Sequence, residues 1–168
     1  MKKLIIVLIG AVLSLCMFGC SGGQLGSSST AGTMTVSYPD SWEHSDGGSG
    51  MQILGTDAST VTVLKPSSDS ESMFAIADIS DSGIGFADMK DTLEQAVANA
   101  NGTVEIVTID GKEAIRMEGT SNDGNKTIAV VSQDGDTVSG AFIAGFSEDD
   151  YSANKDVYDA VLGSIKLK

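Results

Sequence analysis

Residues 104–146 read VEIVTIDGKEAIRMEGTSNDGNKTIAVVSQDGDTVSGAFIAGF, and the reading of this stretch decides the fold. Val104, Ile106 and Thr108 alternate with their neighbours, as a strand requires, and Asp110-Gly111 supplies the positive-φ pair of a tight hairpin. Residues 114–118 run back, Asn122-Asp123-Gly124 turns again, 127–132 is strand-like, and Asp134-Gly135 turns the chain into a last strand over 137–146. Four antiparallel strands in a meander are expected.

On either side of the meander the period changes. Phe86, Met89, Leu93, Ala96, Val97 and Ala100 fall on one face of a helix of roughly four turns, with Asp88 or an earlier residue as its cap and Asn101-Gly102 as its C-terminal turn. After the meander, Ser147-Glu148-Asp149-Asp150 has the form of a cap with an acid three residues on. It opens a helix that buries Tyr151, Tyr158, Val161, Leu162 and Ile165. Upstream, Thr33 to Tyr38 alternates and stops at Pro39, which cannot donate to a ladder, and Trp42 follows a short turn. Residues 43–50 read as a polar loop, 51–55 and 61–64 as a strand pair closed by Lys65-Pro66, and 73–79 as a further strand. Strands and helices in this order predict an α+β fold, an antiparallel sheet flanked by helices.

The N-terminal end predicts where the domain works. Lys2 and Lys3 precede an apolar run from Leu4 to Phe18, and Gly19-Cys20 follows, the layout of an export signal. The run is shorter than the roughly 20 residues a membrane-spanning helix needs. Met17-Phe18-Gly19-Cys20 resembles the lipobox of bacterial lipoproteins, with Phe18 and Met17 departing from the commonest residues. That resemblance implies removal of residues 1–19 and acylation of Cys20. The only other cysteine, Cys16, leaves with the signal, so no disulfide is expected. Residues 21–33, SGGQLGSSSTAGT, are too poor in apolar side chains to offset their ordering entropy and read as a flexible tether reaching about 20 Å. The expected division is signal 1–19, tether 20–32 and a single domain 33–168.

Charge narrows the partners. Loss of Lys2 and Lys3 takes the net charge from −13 to −15, which repels phosphate-rich surfaces, so nucleic acid is excluded and attachment to the membrane, on the extracytoplasmic side, rests on acyl chains. His44 is the only histidine and lies in a polar stretch. Gly48-Ser49-Gly50 lacks the spacing of a nucleophile elbow, and one histidine without a free cysteine excludes the usual zinc sets. Oxygen-rich loops at 78–82, 122–125 and 134–136 offer calcium ligands without the EF-hand pattern, and tight turns need the same residues. Trp42 and Tyr38 are expected in the core, a ligand groove being the other reading. No catalytic residue, metal ligand or cofactor is assigned.

Tyr38-Pro39-Asp40-Ser41-Trp42, Ile109-Asp110-Gly111-Lys112-Glu113-Ala114 and the closing Tyr151 helix with Ser164-Ile165-Lys166 are similar, in order and spacing, to signatures of the PsbP-like family. The resemblance implies an α/β/α sandwich and a non-catalytic accessory or binding role, with a protein or small-molecule partner that the sequence does not name. An envelope hydrolase with a dispersed acidic site and a calcium-binding module are the alternatives.

Overall fold

The structure, a computed structural model, describes residues 24–47, 52–53, 56–67, 70–98 and 101–168. In chain order these form β1 (Leu25–Ala31), β2 (Met34–Pro39), β3 (Glu43–Asp46), β4 (Gln52–Ile53), β5 (Thr56–Asp57), β6 (Thr60–Lys65), β7 (Met73–Asp78) and α1 (Phe86–Val97). The meander follows as β8 (Asn101–Ile109), β9 (Lys112–Thr120), β10 (Asn125–Asp134) and β11 (Thr137–Ser147). Then come α2 (Glu148–Ala153), α3 (Lys155–Gly163) and β12 (Lys166–Leu167).

A seven-stranded antiparallel sheet in the order β3-β6-β7-β11-β10-β9-β8 forms the middle layer, and a three-stranded sheet β1-β2-β12 packs with α2 and α3 on one of its faces. α1 covers the other face. Because both faces are covered, the inner strands carry apolar residues at successive positions. In β7, Phe74 and Ile76 point to one layer and Ala75 and Ala77 to the other; in β10, Ile128 and Val130 oppose Ala129 and Val131. Each fully buried large side chain contributes roughly 1.5–3 kcal/mol of transfer free energy, so the two half-cores dominate stability.

The expected meander is present, with Ile109 paired to Lys112 across a turn in which Asp110 and Gly111 have φ of 51° and 80°. The two positive values are what a two-residue hairpin demands. β11 carries a bulge opposite 126–128, where Gly145 adopts a φ of 83°, and a Cβ there would lie 2.7 Å from the Glu71 carbonyl oxygen.

Several boundaries differ from expectation. The stretch assigned to the tether, 20–32, contains β1. Its residues 25–31 pair with β2, and Ser27, Ser29 and Thr30 bond Asp40, Thr62 and Thr35 side chains. Hydrogen bonds to a neighbouring strand replace the hydrophobic alternation this segment lacks. Within the presumed loop 43–50, β3 is a fully exposed strand held by its ladder to β6. β4 pairs with β5, and not with the segment at 61–64, which instead sits between β3 and β7.

α1 is capped at Gly85 without a side-chain bond, and not by Asp88. The Phe86 N–H donates to Gln133 Oε1 at 3.0 Å, so β10 satisfies one orphan group of the first turn. Asn101 and Gly102 begin β8 where a C-terminal turn was expected. The last helix is two helices, broken at Asn154 (φ −114°, ψ 16°). Its N-terminal cap is as expected, with the Asp150 N–H donating to Ser147 Oγ at 3.1 Å.

Candidate functional site

Pro39 ends β2, and the Trp42 N–H donates back to the Pro39 carbonyl at 3.0 Å, a tight turn that folds the indole under the sheet. Tyr158 of α3 meets it there. The Trp42 and Tyr158 rings stand edge to face with centroids 6.1 Å apart, Phe146 abuts Tyr158 at 4.4 Å, and Tyr151 lies 5.5 Å from Tyr158. Such pairs contribute about 0.5–1.5 kcal/mol beyond their area. The core expectation for Trp42 and Tyr38 is correct, both being buried.

The outer edge of this cluster is a cavity of about 290 Å³. Pro39, Trp42, Pro66, Val157 and Tyr158 supply its apolar wall; Ser41, Ser67, Ser70, Asn154 and Asp150 supply polar groups. Among the described residues Asp150 is the one charged side chain of the lining. Tyr158 Oη donates to its Oδ2 at 3.1 Å and Asn154 Nδ2 to its Oδ1 at 3.0 Å, both uncharged donors. Burial, reinforced by the Asp150 carboxylate, pushes the Tyr158 hydroxyl far above the ordinary tyrosine range, so it remains a donor.

Beside the cavity runs a set of completed ion pairs. Lys126 lies 4.6 Å above the Tyr151 ring and 2.7 Å from Glu118, which Arg116 also contacts at 2.7 Å. The Lys126 hydrogen bond holds the Glu118 carboxyl below its usual range. Burial acts to raise Asp159, but hydrogen bonds from Lys155 and Tyr151 outweigh it and hold this carboxyl low as well. A larger open depression of about 470 Å³ borders Phe86, Gln133 and Gly135, yet its Lys112 is already engaged by Asp134 and by the Lys168 carbonyl. The smaller cavity is the better candidate because its carboxylate has no cationic partner among the described residues.

Cys20, the signal and Gly48-Ser49-Gly50 lie outside the described residues. His44 is half exposed on an edge strand, stacked on Tyr38 and 3.6 Å from Asp46. The oxygen-rich loops act as turns. Asp78 Oδ1 accepts from the Ser80 N–H and hydroxyl, and Asn125 N–H donates to Ser121 Oγ. Among the described residues no group of three or more His, Cys, Asp or Glu side chains is placed to hold a metal. Asp150 and Asn154 escaped sequence reasoning as lining residues. The capping pattern located Asp150 on a helix, but its meeting with Trp42, more than a hundred positions away, leaves no local trace.

No protein-family model matches the chain, and no curated protein does. Among solved structures it is similar to cyanobacterial PsbP (CyanoP) from Synechocystis sp. PCC 6803, with a TM-score of 0.50 and 16% identity, over 87% of this chain and 98% of that one. It also matches PA94 of Pseudomonas aeruginosa, a protein of unknown function, at 0.42 and 13%, over 83% of this chain and 94% of that one. LpqN, involved in cell envelope biogenesis of Mycobacterium tuberculosis, matches at 0.42 and 11%, over 84% and 90%. At these identities the likeness is one of fold. The chain has the α+β architecture of a PsbP-like α/β/α sandwich, as its signatures imply.

Proposed function

We propose that this protein is an exported lipoprotein, held to the outer side of a cell membrane by acyl chains on Cys20, whose domain is a non-catalytic binding or accessory module of the envelope. The observation that carries the reading is the order Lys2-Lys3, apolar 4–18, Gly19-Cys20, followed by a strongly acidic domain that has no electrostatic route to a membrane. One acyl chain gives marginal binding, so two or three on Cys20 are needed for a stable anchor.

A general acid working near neutral pH needs a carboxyl pushed up; Glu118 and Asp159 are both held down in ion pairs. The hydrolase alternative gains nothing from either group. Mass spectrometry of the mature N-terminus is expected to find diacylated or triacylated Cys20. Cys20→Ser is expected to move the protein from the membrane fraction to the soluble fraction. A variant that stays membrane-bound at high salt refutes the anchor.

A further inference from the structure

We infer that the cavity between Trp42 and Asp150 receives the ammonium group of a zwitterionic phospholipid headgroup, so that the domain sits on the bilayer with this end down. The inference rests on the anchoring proposed above. It stands on two independent features, the chemistry of the cavity and the place where the chain enters the domain.

The cavity has the chemistry of a cation site. Asp150 is the only charged lining group among the described residues, and the two donors that contact its carboxylate there, Tyr158 Oη and Asn154 Nδ2, are neutral. They orient the carboxylate without cancelling its charge. Trp42 and Tyr158 line the same cavity, and an aromatic wall favours an ammonium once it has lost water. Ser41, Ser67 and Ser70 complete the lining with hydroxyls able to donate to the phosphate of the same headgroup. At about 290 Å³ the space lies at the lower limit for ligand pockets, which suits a headgroup better than a bulky ligand.

The second feature is where the chain enters the domain. β1 starts at Leu25, which pairs with Pro39, a wall of the cavity. Only residues 21–24 separate Leu25 from Cys20, so the anchor lies at most about 18 Å from β1, at roughly 3.5 Å per residue. The thirteen-residue tether expected from composition would leave the domain free to turn; four residues bring the Pro39 end to the headgroups. A headgroup with no net charge also avoids the repulsion that a domain this acidic meets from anionic lipid.

Trp42 is the only tryptophan, so its emission reports on the cavity alone. In the full mature chain carrying Cys20→Ser, titration with glycerophosphoethanolamine, which keeps the zwitterionic phosphodiester of the headgroup, is expected to give a saturable change in Trp42 emission. Asp150→Asn keeps an acceptor for Tyr158 and is expected to weaken the response at least tenfold. Ser67→Lys, at an exposed position on the rim, is expected to abolish it by placing an ammonium in the cavity. In vesicles, the acylated chain is expected to show a blue-shifted Trp42 with phosphatidylethanolamine but not with phosphatidylglycerol alone. Emission unchanged by glycerophosphoethanolamine or equal in both vesicles overturns the inference, as does a response to a lysine-rich peptide alone. A positive titration with an unacylated natural N-terminus instead defeats the anchor and leaves the cation site standing.

Discussion

The two faces of the seven-stranded sheet are packed by different chemistry. Under α1 the buried core is mostly aliphatic and thioether, built from Val61, Val63, Ile79, Met89, Leu93, Ile115, Met117 and Val131 with Phe142, and Phe86 packs against it half-buried. Under β2, α2 and α3 aliphatic residues are joined by six aromatic ones, Tyr38, Trp42, Phe74, Phe146, Tyr151 and Tyr158. Aliphatic side chains fill volume and have no polar atoms to direct. The tyrosines bury a ring and keep a hydroxyl at the boundary, where Tyr151 bonds Asp159 and Tyr158 bonds Asp150. One face therefore supplies cohesion, and the other supplies cohesion together with a polar cavity.

The largest test of this contrast removes one buried side chain from each face. Phe146→Ala is expected to cost about 3–5 kcal/mol and Leu93→Ala about 2–5 kcal/mol, read by urea denaturation. Only Phe146→Ala is expected to alter native Trp42 emission, since Phe146 supports Tyr158, which abuts the indole. An equal change from Leu93→Ala would show that the two half-cores act as one.

A smaller effect is expected at the cap of α2. Ser147→Ala removes the acceptor of the Asp150 N–H and is expected to cost about 1 kcal/mol. It also loosens the helix that carries Asp150, so the glycerophosphoethanolamine response is expected to weaken together with stability, a coupling that Leu93→Ala lacks.

The smallest effect concerns pH on the aromatic face. Glu118 has a depressed folded-state pKa, so its contribution is present above the ordinary carboxylate value of about 4.3 and is lost as pH falls through the lower folded value. Lys126→Met keeps the stem over Tyr151 and removes the charge. It is expected to cost less than about 1 kcal/mol at pH 7, the pair being partly exposed, with the difference from wild type closing below about pH 4. A difference that persists in acid would assign the loss to the contact of the Lys126 ammonium with the Tyr151 ring.

The parts legible in the sequence were those with strong local signals. Asp110-Gly111 required a hairpin, the spacing of Met89 and Leu93 gave a helix with a buried stripe, and Ser147 announced a cap. β1 and β3 were not legible. LGSSSTA and EHSD have no apolar alternation, and both become strands because a neighbouring strand offers a ladder. A residue's own propensity carries no information about that neighbour. The cavity was half legible: Trp42 stood out as an aromatic beside a strand end, while Asp150 could be read only as a capping residue.

The sequence by itself determined the α+β class, the meander and the acidity of the chain, because each follows from local pattern or from composition. Only the tertiary structure decided that residues 25–31 form a strand on β2, that Leu25 lies beside Pro39, and that Asp150 and Trp42, more than a hundred residues apart, line one cavity. Those facts depend on strand pairing and helix docking between distant segments. Such contacts are fixed by the burial of two half-cores at once, and no short stretch of the chain contains them.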